Sequence, residues 1–444
     1  MKTKVPERVA EALASAFLAH GAWTRDALAE RGRVTLAEDA RWMRGVVDRV
    51  LATFPEPPRA RFSALARFIA SVSIAAPRER RAPRWRPKVA RWLEPEIAMG
   101  VRRWDVPAIA TPGDLARWLG LSPAECDWFA DGRGLERLRR PEALDHYRRR
   151  WVAKRRGGFR LLEAPKARTK AVQQRILREI LDRVPAHDAA HGFVRGRSVR
   201  THAALHVGRA VVVRLDLEDF FLSISAARVA GVFRAAGYPD DVAWSLTLLC
   251  TNVAPPSGLV LGRDATHDDV ARLRRAEMRA RTRHLPQGAP TSPALANLCA
   301  RGLDVRLTAL ATKLGAVYTR YADDMTFSGD RRLARSSSRL EAWASAIASD
   351  EGFTVNHRKS RVMRAGVRQL VTGVVVNTRL NVARDAYDRL EATLHNCRRL
   401  GPGSQNRDGH PDFRAHLVGR VAHVKSLHPA RGEKLAALLE QIAW

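Results

Sequence analysis

The chain has 444 residues, with 77 Lys and Arg against 46 Asp and Glu, a net charge of +31. That length predicts two or three folding units rather than one, and 45% hydrophobic residues exclude a disordered basic tail. The excess of positive charge points to a polyanionic partner, because Lys and Arg gain affinity by displacing counterions from phosphates. A membrane partner is not expected: the longest apolar stretch near the N-terminus, Phe68 to Ala76, is far below the roughly 18 residues of a spanning helix, and no signal-type apolar region follows Met1.

In chain order, the first hundred residues read as helices, since Val9, Leu13 and Phe17 recur at helical spacing, as do Trp42, Met43, Val46, Val47, Val50 and Phe54. Thr35 followed by Glu38 suggests a capping box at the second start. After Pro55 the chain turns basic: Arg78, Arg80, Arg81, Arg84, Arg86, Lys88 and Arg91 interleave with Pro83, Trp85, Pro87 and Trp92. That pattern suits a solvated linker, or a patch where arginines meet phosphates and tryptophans offer stacking faces. Thr111-Pro112 and Ser122-Pro123 each open a short helix, in a spacing that resembles a helix-turn-helix DNA reader but occurs in every kind of helical protein.

Beyond Arg150 strands and helices alternate. Arg160-Leu161-Leu162 reads as strand, Lys170 to Val184 as helix, Val211-Val212-Val213 as a buried strand, and Val317 to Ser328 as strand-turn-strand. Asp385 to Trp444 is helical, broken at Gly401-Pro402-Gly403-Ser404. Cys126, Cys250, Cys299 and Cys397 stand far apart without metal-site spacing, which predicts buried thiols in a reducing, cytoplasmic compartment.

Three adjacent Asp pairs provide an internal comparison. Asp240-Asp241 and Asp268-Asp269 suit helix N-termini, where carboxylates are favoured. Asp323-Asp324 instead falls at the bend of a hairpin with β-forming flanks, where two acids repel and a divalent cation is the usual reason to tolerate them. Asp216 supplies a third acid at the end of Val211-Val212-Val213-Arg214-Leu215-Asp216. Two-metal phosphoryl transfer needs such carboxylates from separate strands.

Tyr321-Ala322-Asp323-Asp324 resembles the signature of reverse transcriptases, and other blocks follow that family's order over residues 145–435. Leu215 to Phe221 resembles its first catalytic motif, Leu285-Pro286-Gln287-Gly288-Ala289-Pro290-Thr291-Ser292-Pro293 its second, and Asn356 to Arg361 the block after the catalytic hairpin. The resemblance implies an α+β right-hand polymerase with fingers, palm and thumb. Its expected boundaries are a helical, basic N-terminal extension at 1–105, fingers with the leading helix pair at 106–210, a palm at 211–380 with an insertion at 257–283, and a helical thumb at 381–444.

The same resemblance implies two Mg²⁺ ions held by Asp216, Leu217, Asp323 and Asp324, with Lys359 as proton donor to pyrophosphate. It implies that Arg160 grips a deoxynucleotide triphosphate, that Phe221 excludes a ribose 2′-hydroxyl, and that Gln287 touches the templating pair. Locally, Leu285 to Gly288 reads as a turn, and Thr291 or Ser292 as the cap of a helix through Leu298.

Within the family, the chain resembles bacterial retron reverse transcriptases, which copy a structured noncoding RNA into branched RNA-linked DNA. Ala190 to Ser198 resembles their fingers block, Val371-Thr372-Gly373 their Val-Thr-Gly triplet, and Leu417 to Leu427 their thumb end. His202-Ala203-Ala204-Leu205-His206 stands where the retron pattern is Asn-Ala-x-x-His. RNA contacts are therefore expected from His206, Val371, Thr372 and Gly373, with a role in antiphage defence and an effector protein partner. The alternatives are another bacterial reverse transcriptase, such as an intron maturase or a defence polymerase, and a catalytically inactive RNA scaffold. Against a maturase, no Cys/His endonuclease cluster follows the thumb region.

Overall fold

The computed structural model describes residues 2–19, 21–37, 41–58, 62–75, 87–93, 99–132, 134–135, 145–154, 159–256 and 266–444. They form two compact units, Met1–Met99 and Gly100–Trp444. In the first, β1 (Lys2–Lys4) pairs antiparallel with β2 (Ser73–Ala75), and α1 (Glu7–Leu18), α2 (Arg25–Leu36), α3 (Arg41–Thr53) and α4 (Phe62–Ser71) lie between them in sequence. The helical spacing of Val9, Leu13 and Phe17 becomes one buried stripe, packed with Leu28, Met43, Val46, Val47, Val50, Leu65 and Ile69.

Thr35 does not start a helix. The run Arg25–Leu36 is rich in helix formers and continues through it, so the Thr35 hydroxyl donates to the Arg31 carbonyl at 2.9 Å. Glu38 lies outside the described residues, as do Arg78, Arg80, Arg81, Pro83, Arg84, Trp85 and Arg86. The described end of that basic stretch is tied down: Ala90 and Arg91 donate their amides to the Thr35 carbonyl at 2.9 and 3.0 Å.

The second unit opens with α5 (Pro112–Leu119) and α6 (Pro123–Ala130), each closed by a capping box, Thr111 with Asp114 and Ser122 with Glu125. Next come the hairpin β3 (Tyr147–Ala153) and β4 (Phe159–Pro165), then α7 (Ala167–Glu179) and α8 (Val199–Ala204). The helix expected over Lys170 to Val184 begins earlier and tightens to a 3-10 turn at Leu181–Arg183.

The centre is a four-stranded antiparallel sheet in the order β6-β7-β5-β8, formed by β5 (Val211–Asp216), β6 (Val317–Tyr321), β7 (Asp324–Gly329) and β8 (Arg361–Arg364). Between β5 and β6 run α9 (Ala226–Ala235), α10 (Asp240–Cys250), α11 (His267–Ala280), α12 (Ser292–Cys299) and α13 (Arg301–Lys313). The Asp240 and Asp268 pairs thus open α10 and α11, as helix N-termini favour. The helix pair α5–α6 packs on α10, and Leu115, Cys126 and Phe129 are buried in the core. After β7 come α14 (Arg331–Arg335) and α15 (Ser337–Asp350), and after β8 the short hairpin β9 (Leu370–Val371) and β10 (Val374–Val375). The chain closes with α16 (Arg384–Leu400), α17 (Phe413–Leu427) and α18 (Pro429–Glu440), packed around Leu390, Leu394, Leu417, Val421 and Leu435. All four cysteines are buried free thiols.

Beside the sheet sits a histidine cluster. His206 is fully buried and hydrogen-bonds to the Ser328 hydroxyl through Nδ1 and the Thr319 hydroxyl through Nε2, both at 2.7 Å. Its ring lies 5.6 Å from that of His202, which lies 5.5 Å from that of His191. Burial first, then neighbouring positive charge, pushes His191 down to about 4, His202 to about 2 and His206 to about 3. The folded protein therefore holds them neutral, whereas unfolded histidine takes a proton near pH 6.5. Their contribution to stability is complete above about pH 6.5 and is lost as the pH falls below it. Between pH 7 and 5 each such histidine should cost about 2 kcal/mol of stability. Denaturant titrations at the two pH values should show a loss smaller by about that amount in His202→Asn; an equal loss in both proteins would contradict the assignment.

Candidate active site

The register of the central sheet places Asp216, the last residue of β5, directly opposite Asp324, the first of β7. β6 and β7 are joined by Ala322-Asp323, with Ala322 in the left-handed region at φ +56°. Leu217 donates its amide to the Asp323 carbonyl at 2.9 Å, which ties this turn to the chain leaving β5. Asp216, Asp323 and Asp324 thus share one end of the sheet, as their spacing suggests.

Two cations offset the repulsion there. Lys359 Nζ lies 2.9 Å from each carboxylate oxygen of Asp216. Arg214, one pleat before Asp216, donates from Nε to Asp324 Oδ1 at 3.2 Å and pairs through its other arm with Oδ2. Burial pushes both carboxyls above the usual range; Lys359 pulls Asp216 back while Asp323 raises it, and Arg214 pulls Asp324 back. Among the described residues, no group of three His, Cys, Asp or Glu side chains is gathered closely enough to hold a metal. The donor set is nevertheless one of hard carboxylate oxygens, the chemistry that suits Mg²⁺.

The turn rests on a buried ion pair that lies outside the sequence motifs. Arg320, in β6, has no solvent exposure and donates to both Asp304 oxygens, at 2.8 and 2.7 Å. Its remaining arm reaches the Ala322 carbonyl at 2.9 Å and Asn297 Oδ1 at 3.1 Å. Asn297 in turn donates to the Gly192 carbonyl at 2.8 Å. Gly192 lies against the turn so closely that a Cβ there would stand 2.6 Å from the Ala322 nitrogen. The only advance signal was an arginine inside an otherwise β-forming run.

A cavity of about 940 Å³ opens over the carboxylates, lined by Arg160, Phe221, Gln287 and Lys359 together with Asp216 and Asp323. The Phe221 ring lies 6.2 Å from that of Phe193, tilted by 54°. Gln287 sits on a turn that docks on β4: Glu163 donates its amide to the Gln287 carbonyl at 2.9 Å, and Gly288 adopts φ +132° where a Cβ would meet the Glu163 carbonyl at 2.9 Å. The Glu163 carboxylate is buried and accepts from His284 at 2.7 Å and Asn252 at 2.8 Å. Thr291 occupies the N-cap of α12, as expected, but its side chain makes no capping bond; Ser292 is buried and donates to the Pro286 carbonyl at 2.7 Å, closing the turn.

The residues expected to touch RNA separate into two groups. His206 and Val371 have no solvent exposure. His206 braces β6 and β7, and Val371 packs with Val374, Val376 and Val212, so neither side chain offers a contact surface. Thr372 and Gly373 form the tip of the β9–β10 hairpin at φ +45° and +83°, and the Thr372 hydroxyl lies 3.3 Å from His202 Nδ1.

Breaking the buried pair should leave the Asp304 carboxylate charged and buried, with the Tyr318 hydroxyl at 2.9 Å as its remaining side-chain donor. Arg320→Met is expected to destabilise the second unit by about 3–5 kcal/mol in denaturant unfolding; a loss below about 1 kcal/mol would show that the pair does not carry the turn.

The family model for "Reverse transcriptase (RNA-dependent DNA polymerase)" matches residues 152–398. The Retron Mx65 reverse transcriptase of Myxococcus xanthus is 42% identical over 360 residues, covering 80% of this chain and 76% of its own. The Retron Mx162 reverse transcriptase of the same organism is 38% identical over 342 residues, 74% of this chain and 66% of its own. Among solved structures, a Candida albicans telomerase in complex with telomeric RNA aligns at a TM-score of 0.35 and 10% identity, covering 68% of this chain and 58% of that one. The chain therefore belongs to the reverse transcriptase family, as a retron-type RNA-directed DNA polymerase with the right-hand polymerase fold.

Proposed function

We propose that the chain copies a structured noncoding RNA into RNA-linked single-stranded DNA, the retron msDNA, with its chemistry at Asp216, Asp323 and Asp324. The observation that carries this reading is the register of β5 and β7, which sets Asp216 opposite Asp324 with Asp323 on the adjoining turn. These carboxylates would hold two Mg²⁺ ions. Leu217 can add only its backbone carbonyl, the one oxygen it carries, while its amide ties it to the Asp323 carbonyl. The ions supply activation of the primer hydroxyl and neutralisation of charge on the leaving pyrophosphate.

The remaining roles belong to side chains of the cavity. Lys359, whose Nζ pairs with Asp216, gives a proton to pyrophosphate on this reading, once that carboxylate is otherwise occupied. Phe221 presents a rigid ring to the sugar and rejects a 2′-hydroxyl by bulk, Arg160 binds the triphosphate, and Gln287 meets the templating pair. Thr372 and Gly373 at their hairpin tip meet the folded RNA, where shape and loop contacts decide selection. A cytoplasmic location, supported by the four free cysteines, completes the reading, with a part in antiphage defence and an effector protein partner that rest on the resemblance to retron enzymes alone.

Asp323→Asn keeps the shape of the side chain and removes its charge. Primer extension on RNA with deoxynucleotides and Mg²⁺ should fall at least about a hundredfold, several kcal/mol of transition-state stabilisation, with RNA binding retained. A variant extending at near the parental rate would overturn the assignment. Phe221→Ala should admit ribonucleotides in the same assay; unchanged discrimination would make Phe221 a packing residue only.

A further inference from the structure

One wall of the cavity is supplied by α11, through Arg272, Arg275 and Ala276. These residues share a helix face with Arg279, at positions i, i+3, i+4 and i+7. The face is anchored at its C-terminal end. Arg279 donates to Asp219 Oδ2 at 3.2 Å, and Ala280 packs with Leu161 of β4 and with Ala254, whose amide donates to the Ala280 carbonyl at 2.8 Å. Asp219 is itself well defined: it sits at φ +47°, its side chain is 10% exposed, and Lys154 Nζ reaches its other oxygen at 3.3 Å.

Seven Lys and Arg line this cavity against four Asp and Glu, so it is electropositive despite the carboxylates. Arginine matches phosphate through a planar fork of donors. The same chemistry would suit a triphosphate or a nucleic-acid backbone. The anchor favours the triphosphate, because Asp219 stands between Asp216 and Phe221, within the segment that faces the nucleotide sugar and the reacting phosphate on the reading above.

We propose that Arg272 and Arg275 form a second grip on the triphosphate of the incoming deoxynucleotide, positioned by the Arg279–Asp219 ion pair. The proposal rests on the reading of this cavity as the nucleotide pocket. It assigns part of nucleotide affinity to α11, a helix of the segment between the first and second catalytic motifs.

Three variants of the full-length protein test it: Arg272→Gln, Arg275→Gln and the double substitution, with unchanged unfolding transitions as the control for fold. Each single change should raise the deoxynucleotide KM about fivefold to tenfold with kcat within about twofold, as expected for loss of one charge-assisted contact made equally in ground and transition states. Calorimetric affinity for inorganic tripolyphosphate should fall in parallel, while the Kd for an RNA–DNA primer-template stays constant at two salt concentrations. Arg279→Gln should raise KM in the same direction by displacing the face. An unchanged KM, or weakened primer-template binding without weakened tripolyphosphate binding, would overturn the proposal, the latter assigning the face to the nucleic-acid backbone. The tripolyphosphate arm reads binding without synthesis, so it decides the arginine face separately from the catalytic role of the carboxylates.

Discussion

The arrangement of the site depends on one buried guanidinium. A left-handed residue followed by two adjacent carboxylates is an unfavourable turn, both for its backbone and for its charge. Arg320 stabilises it from beneath by holding the Ala322 carbonyl, and it stays charged in an environment without water because Asp304 accepts two of its hydrogen bonds. Asn297 extends the contact to Gly192, and the amide of His191 donates to the Arg320 carbonyl at 2.7 Å. One arginine thereby ties β6, α12, α13 and the segment before α8 to the turn that carries Asp323.

Above the turn the balance is reversed, with cations serving the carboxylates. Lys359 and Arg214 approach Asp216 and Asp324 from β8's flank and from β5 itself, offsetting a repulsion that burial would otherwise magnify. Under the proposed mechanism Asp216 would hold a metal ion in place of Lys359, whose ammonium would then be free to give a proton. The histidine cluster shows the opposite solution to burial. His191, His202 and His206 stay neutral and bond to hydroxyls, with His202 Nε2 alone of the three left buried without a hydrogen-bond partner.

Much of this was legible in the residues, and the exceptions have physical causes. The apolar run ending in Asp216 and the β-forming flanks of Asp323-Asp324 both become strands of the central sheet, because local patterning and tertiary pairing agree there. The partnership of Arg320 with Asp304 was not legible, since it joins a strand to a helix packed on it and no local spacing encodes that. Thr35 misled because a capping residue also fits inside a helix when the neighbours are strong helix formers. His206 and Val371 misled because membership in a motif does not distinguish a residue that contacts a ligand from one that shapes the element carrying it.

On the proposed mechanism Asp216, Asp323 and Asp324 act together as one divalent-cation site. The most direct measurement is anomalous diffraction from crystals of the protein with primer-template, deoxynucleotide and Mn²⁺ as a visible substitute for Mg²⁺. Two anomalous peaks about 3.5–4 Å apart are expected, touching Asp216 and the Asp323-Asp324 turn, with Lys359 Nζ withdrawn from Asp216. Nucleotide bound in the cavity with no peak at these carboxylates would contradict the mechanism.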